Sequence, residues 1–557
     1  MNAILLILVW SWPLLLASLA GLPRARWLVP LAPLPALVVA LAVPDGTRIP
    51  LPWLLLGTEL GLDATGRIFL LFSALLWLMA AIYGTGTAGP DRHAGRYRVL
   101  FLLAMAGNLG LIVAGDTVSF YLGFTLMGLA AYGLVVHTGT QRAQRAARRY
   151  LAWTIAGELL LFVALVTLSL QHGGALVFSA LPSSPPSGFT VLLLIIGFGI
   201  KLALPGLHLW LPQAYAVTPV PAVAVLSGAM IKAGLLGWLR FLLPGDAALT
   251  GWGEALIVTG AIGIVYGTAA GLLQQRPRLL LGYSSISKMG VLTLGMGAAL
   301  AWPAAAPAIT AALTVYAAHH ALVKGALFLG VGLVERSGLR LWLLVGLVLL
   351  ALALAGAPLT SGALAKSVLA TSLPAAAHNL VTLLGATTVA TTLLLARFLF
   401  LVWRHHAGAT TPHDNLAAGS WLILLAMIAA LPFVTSGTIA VPADPMPVLL
   451  GMILAAAAVW ISVRLPGRNA LRRRLADARH HARRIPAQGR RLLVRSMLHV
   501  SDAAQSCWQS AGVALHNCLQ AAETPARPDD DVRAWTSTGL VWLSVGGLLL
   551  LALITAA

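Results

Sequence analysis

Charge is scarce in this chain. Only 10% of its 557 residues are charged and 59% are hydrophobic, with a mean hydropathy of +0.88. Those values exclude an ordinary soluble globular protein, which carries about 25% charged residues. Cysteine is scarcer still. Cys507 and Cys518 are the only two, they fall outside the clear apolar runs, and no CxxC or Cys/His spacing suits a metal or cluster. His405 and His406 form a loop pair that reads as solvated rather than ligating. No nucleotide, quinone, flavin or cluster motif is present either. The chain is therefore expected to hold no metal, no cofactor and no catalytic centre of its own, so that any energy source lies in a partner.

What the sequence does have is apolar runs of bilayer length. Runs of about 18 to 22 residues recur along most of it, each long enough to cross a membrane as a helix. The expected fold is an all-α polytopic membrane protein with about 16 transmembrane helices, the first at 3–21, the second at 27–43 and the last at 535–555. The N-terminal run lacks a basic leader region and is followed by Arg24 and Arg26, so it reads as a first span rather than a signal peptide.

The formal charge of +19 suggests nucleic acid until its distribution is considered. One set of alternate loops carries Arg24/Arg26 and the basic stretches 91–98, 140–149, 274–278, 335–340 and 403–406. The other set is nearly free of Lys and Arg, with Arg48 and Arg67 its main exceptions. The positive-inside rule puts the first set in the cytoplasm and both termini outside, across a cell inner membrane. Residues 464–534 are basic with apolar residues at helical spacing. They fit a helix on the cytoplasmic surface of the bilayer or a docking element for a cytoplasmic subunit, with a solvated basic linker as the plainer alternative.

Several ionisable residues fall inside expected spans: Glu158, Lys201, Lys232, His319, His320, Lys324 and Lys366. Such residues are costly at mid-membrane and point to function, although any one could pair silently or reach the interface. A lysine in a low-dielectric site loses proton affinity, a neighbouring carboxylate restores it, and histidine bridges the gaps. As a set the residues suit a proton relay. Breaks accompany them. Pro205, in GFGIKLALPGLHLWLPQAY (197–215), is expected to open its helix, and Gly356, Pro358 and Gly362 are expected to do the same in 341–371, giving two half-helices in one crossing. Two breaks about 150 residues apart, each near a buried lysine, suggest two repeats around an ion path. The expected organisation is N-terminal transmembrane helices over 1–97, repeats over 98–243 and 253–403, core helices over 404–463, the basic segment, and a terminal span over 535–557.

The stretch GFGIKLALPGLHLWLPQAYAVTPVPAVAVLSGAMIKAGLLGWLRF (197–241) resembles the signature of the antiporter-like membrane subunits of respiratory complex I, Mrp-type cation/proton antiporters, membrane-bound hydrogenases and related complexes. AARRYLAWTIAGE (146–158), LLGYSSISKMG (280–290), HHALVKGALFLGVG (319–332) and LAGAPLTSGALAKS (354–367) follow in the family's order. The resemblance covers roughly 60–435. It implies a fourteen-helix antiporter core with two inverted five-helix repeats and two broken helices. It further implies Lys201 as the central lysine, Lys232 and His320/Lys324 as connecting groups, and Lys366 as the group exchanging protons with the outside. Two positions depart from the family's pattern. The fifth-helix acid is missing, its position matching Gly123, so Glu158 is expected to act as the partner of Lys201. Gln213 replaces the acid of W-L-P-D.

The resemblance implies a proton-translocating subunit of a larger membrane complex, working with protons or Na⁺ in the lipid bilayer and binding no nucleic acid. Alternatives are the membrane partner of an inorganic-carbon uptake complex, an Mrp-type Na⁺/H⁺ subunit, and a scaffold that no longer conducts. A transporter of organic solutes fits poorly, because the polar set is cationic and linear rather than gathered in one pocket.

Overall fold

The computed structural model describes residues 2–464 apart from 88, 90, 175, 179–184, 243, 406–413 and 436–443. The basic segment beyond Arg464 and the expected last span lie outside the described residues. The described residues up to Ala455 belong to one compact unit and those from Ala456 to a second.

Among the described residues, twelve stretches are long and apolar enough to cross a membrane, and the chain is an all-α polytopic membrane protein. Helix α1 (Asn2–Leu19) is followed by two short 3-10 turns and α2 (Leu34–Ala42). The expected second span is broken up this way because Pro30, Pro33 and Pro35 remove backbone donors. A small hairpin then replaces the expected loop: β1 (Thr47–Leu51) pairs antiparallel with β2 (Thr58–Leu62), Thr47 opposite Leu62.

Long helices follow, with caps that fix their starts: α3 (Ala64–Gly86), α4 (Ala94–Val113), α5 (Thr117–Val136) and α6 (Gln141–Gln171). The Gly66 amide donates to Asp63 and the Ser119 amide to Asp116, each at 2.8 Å, satisfying first-turn amides that a helix leaves unpaired. The expected span 189–210 divides into α7 (Gly188–Leu202) and the short α8 (Leu211–Val217). The next, 221–243, divides at Met230–Lys232 into α9 (Val220–Gly228) and α10 (Ala233–Phe241). Helices α11 (Thr250–Leu272), α12 (Pro277–Ala301) and α13 (Ala306–Ser337) continue the bundle. After them come α14 (Leu341–Ala355), α15 (Ser361–Ser372), α16 (His378–His405), α17 (Asn415–Thr435) and α18 (Met446–Arg464).

Without a hydrophobic drive between helices in lipid, close packing falls to small residues. Between α11 and α12, Gly260 lies against the Gly290 carbonyl and Gly253 against that of Gly297, so the two backbones touch. The result is a layered bundle in which burial grades from edge to centre. Of the apolar window in the α13 stretch 94% is buried, as in Val220–Phe241, whereas only 28% of α1 is. The ionisable residues at issue lie mainly on the central helices.

Candidate functional site: a row of buried cations beside two helix breaks

The two breaks share one backbone design. Helix α7 ends on Ala203, in the left-handed region at φ 57°. The amides of Ala203 and Leu204 donate back to Ile200 O at 3.1 Å and Gly199 O at 3.0 Å. Helix α14 ends on Gly356 at φ 90°, whose amide and that of Ala357 donate to Ala353 O at 3.1 Å and Leu352 O at 3.0 Å. Both patterns are left-handed C-caps that satisfy the helix's last carbonyls. In each case a proline stands two residues past the cap, Pro205 and Pro358, and another positive φ follows at once, Gly206 at 84° and Leu359 at 63°.

This corrects the expected origin of the breaks. Pro205 and Pro358 lie beyond the helix ends rather than inside a helix, and the left-handed caps do the breaking. Ile200 O also accepts from Trp210 Nε1 at 2.9 Å. Gly362 likewise breaks nothing. It sits in the first turn of α15, where a Cβ would collide with the Ala353 carbonyl, so it lets α15 pass across the end of α14.

Lys201, in the last turn of α7, is buried at 5% exposure. Its Nζ donates to Tyr150 Oη at 3.4 Å and lies 5.5 and 5.8 Å from the ring centroids of Phe124 and Tyr150, an arrangement that favours a cation. Tyr150 Oη donates to Gly128 O at 3.2 Å, and Gly128 also lies directly against the Glu158 carboxylate. Glu158 is 7% exposed, and its Oε1 has no hydrogen-bond partner among the described residues. No Glu158–Lys201 ion pair forms within 4 Å among the described residues. The two charges face each other across Gly128 and Tyr150 instead.

The fifth-helix position is also corrected. Gly123 faces α4, where a Cβ would meet the Gly107 carbonyl and Leu111. The α5 residues turned toward the pair are Phe124, beside Lys201, and Gly128, beside Glu158.

The other cations lie deeper in the chain. Lys232 is fully buried and donates to Ser227 O at 2.8 Å, near the end of α9. Lys324 is fully buried and donates to Leu281 O of α12 at 2.8 Å. His319 Nδ1 lies 3.0 Å from Ser361 Oγ at the start of α15. Neither ring nitrogen of the buried His320 has a hydrogen-bond partner among the described residues. Lys366 is half-buried and donates at 2.6 Å to both Ala355 O and Thr388 Oγ1.

Sequence reasoning passed over Lys288 on α12. It is 1% exposed and its Nζ has no hydrogen-bond partner among the described residues. The charges of Lys232 and Lys324, and of Lys288 with Lys324 and Lys366, are close enough to interact. Both histidines lie in the same field. A simple signal would have found Lys288: the chain has five lysines, and the other four were already singled out. Chemically, the arrangement offers proton-accepting amines and imidazoles in series. It falls into a Glu158–Lys201 group and a Lys232-to-Lys366 group, with no described hydrogen bond joining them.

Residues 114–393, half of the chain, match the family described as NADH:quinone oxidoreductase/Mrp antiporter, TM. NADH-quinone oxidoreductase subunit N of Desulforudis audaxviator is 32% identical over 299 residues, covering 50% of this chain and 56% of that protein. The chain thus spans about half the length of the curated relatives it matches. Among solved structures, a chain of the Mrp complex from Dietzia sp. DQ12-45-1b superposes with a TM-score of 0.70 at 23% identity, over 95% of this chain and 64% of that one. A chain of respiratory complex I from Thermus thermophilus gives 0.68 at 23% identity, over 81% and 99%. At that identity the likeness speaks for the fold. The chain belongs to the NADH:quinone oxidoreductase/Mrp antiporter transmembrane family.

Proposed function

We propose that this protein is the proton-translocating membrane subunit of a larger energy-coupling complex, set in the inner membrane with its N-terminus outside. Glu158, Lys201, Lys232, Lys288, His319, His320, Lys324 and Lys366 carry the relay. The observation that carries this reading is that four of the five lysines are buried and Lys366 half-buried, in a chain with two interrupted helices, and that none of them makes an ion pair with a carboxylate among the described residues. A buried cation needs a counter-charge, polar partners or water. For Lys201, Lys232, Lys324 and Lys366, carbonyls, hydroxyls and aromatic rings serve, which hold a proton without trapping it. The matching caps at Ala203 and Gly356 support two repeats, over 98–243 and 253–403.

Proton uptake into proteoliposomes of the whole purified complex tests the reading, with Lys201→Ala, Lys366→Ala and Glu158→Gln compared with wild type. Wild-type rates in all three would leave a non-conducting scaffold. Uptake that requires Na⁺ on the opposite side would make it an exchanger. Mass spectrometry of what co-purifies identifies the complex.

A further inference from the structure

One cavity lies apart from the lysine row, and no buried lysine lines it. It sits where the C-terminal end of α3, the start of α4 and the start of α9 converge, with about 320 Å³ of space. Three guanidinium groups line it, those of Arg26, Arg98 and Arg336, against one carboxylate, Asp91, which is bound to His137 at 2.8 Å. Two of the arginines are held in position. Arg98 donates to Ala20 O at 2.9 Å and Leu22 O at 3.3 Å, and Arg336 donates to Thr87 O at 2.8 Å. The first residues of α9, Val220 and Pro221, form part of the wall, and a helix N-terminus adds partial positive charge.

A second observation points to a ligand. Tyr83, 1% exposed, lines the cavity and its hydroxyl has no hydrogen-bond partner among the described residues; the buried His137 Nδ1 has none among them either. Guanidinium groups, a buried hydroxyl and a helix N-terminus together match the oxygens of a phosphate group. The wall also carries apolar side chains, Val29, Phe101 and Pro221. The neighbouring Leu22 and Trp27 are exposed at 56% and 54%, and the Arg26 guanidinium lies 5.2 Å from the Trp27 ring. The volume is at the low end of the ~300–1,000 Å³ typical of small-ligand sites, room for a headgroup but not for a whole lipid.

We propose that this cavity binds a phosphate-bearing anion, and that its occupant is the phosphodiester headgroup of an anionic membrane lipid whose chains leave along Leu22 and Trp27.

The test follows thermal unfolding and native mass spectra of the delipidated full chain in detergent. Dioleoyl phosphatidylglycerol, dioleoyl phosphatidylcholine and inorganic phosphate are titrated separately. The site predicts protection by phosphatidylglycerol at concentrations about tenfold lower than by phosphatidylcholine, the size expected of one or two charge-assisted hydrogen bonds. Arg336→Gln and Tyr83→Phe should each erode that preference, while Arg336→Lys retains part of it. Tyr83→Phe keeps the ring packing, so its lipid-free melting temperature identifies a variant that has simply misfolded. Equal protection by the two lipids, or a preference unchanged in both variants, overturns the proposal. Protection by inorganic phosphate matching that of phosphatidylglycerol, with no lipid retained in the spectra, assigns the site to free phosphate and overturns the lipid as its occupant.

Discussion

The ammonium of Lys366 donates to the carbonyl of Ala355 at 2.6 Å, so a cation borne by α15 closes the C-terminal end of α14. Lys232 repeats the relation with Ser227 O near the end of α9, and Lys201 sits in the last turn of α7. A helix C-terminus carries partial negative charge. Interrupted helices thus give these lysines a stabilising field without a fixed carboxylate that would trap their protons.

Lys366→Met should therefore abolish most proton uptake while costing no more than about 2 kcal/mol of stability, the upper range for a cation at a helix C-terminus. Uptake by reconstituted complex and chemical denaturation of the purified chain measure the two effects. Wild-type uptake in this variant removes Lys366 from the relay.

Lys288→Ala should lower uptake about as much as Lys324→Ala, by a factor of roughly 10² or more if each group transfers a proton directly. If Lys288 were only packed filler, its variant would transport normally, and the side-by-side rates decide.

Gly128→Ala places a methyl group against the Glu158 carboxylate. Overpacking of this kind costs about 1–3 kcal/mol, and uptake should fall together with that of Glu158→Gln. In contrast, Glu158→Gln should leave the melting temperature unchanged or raise it, since it removes a buried charge with an unpartnered oxygen. A drop in melting temperature for Glu158→Gln would mean that the carboxylate is structurally compensated.

The two caps predict opposite responses. Ala203 bears a side chain at φ 57° and Gly356 does not at φ 90°. Ala203→Gly should stabilise by up to about 1–2 kcal/mol, the cost of left-handed backbone for an L-residue, and Gly356→Ala should destabilise by a similar amount. Equal signs in the two melting temperatures would contradict the shared design.

Stability should also fall in acid through Asp63. Burial raises the affinity of its carboxyl for a proton, but pairing with Arg240 at 2.5 and 2.7 Å and the Gly66 amide outweigh this and hold it below the ordinary value of 3.8. A depressed carboxylate contributes stability that is present above its unfolded value and lost as pH falls through the folded one. Melting temperature should thus decline below about pH 4 in wild type and more shallowly in Asp63→Asn. Parallel pH profiles for the two would leave the pair without a role in stability.

The family, the all-α membrane fold and the existence of both breaks were legible in the sequence, because apolar length and the lysine-bearing motifs are local signals. The cause of the breaks was not. A proline in a span suggests a kink at itself, whereas the left-handed turn at Ala203 is set by backbone bonds that no residue type announces. Facing across helices was equally hidden: the motif match placed the missing acid at Gly123, while the packing of α4 on α5 turns that residue toward α4. The second span was legible too, since Ala25–Ala42 is long and apolar enough to cross, but its division into short turns before α2 by three prolines was not.

The confinement of lysine has a practical consequence. All 31 cationic side chains outside that set of five are arginines, and arginine does not react with amine acylating reagents. A water-soluble N-hydroxysuccinimide ester applied to the folded protein therefore meets no fully exposed lysine, Lys366 being half-buried and the other four buried. An acylated Lys201, Lys232, Lys288 or Lys324 found by peptide mapping marks a place where water has entered the membrane interior. Protein chemistry thus comes with a built-in hydration probe, read one lysine at a time, for each condition in which the complex is caught working.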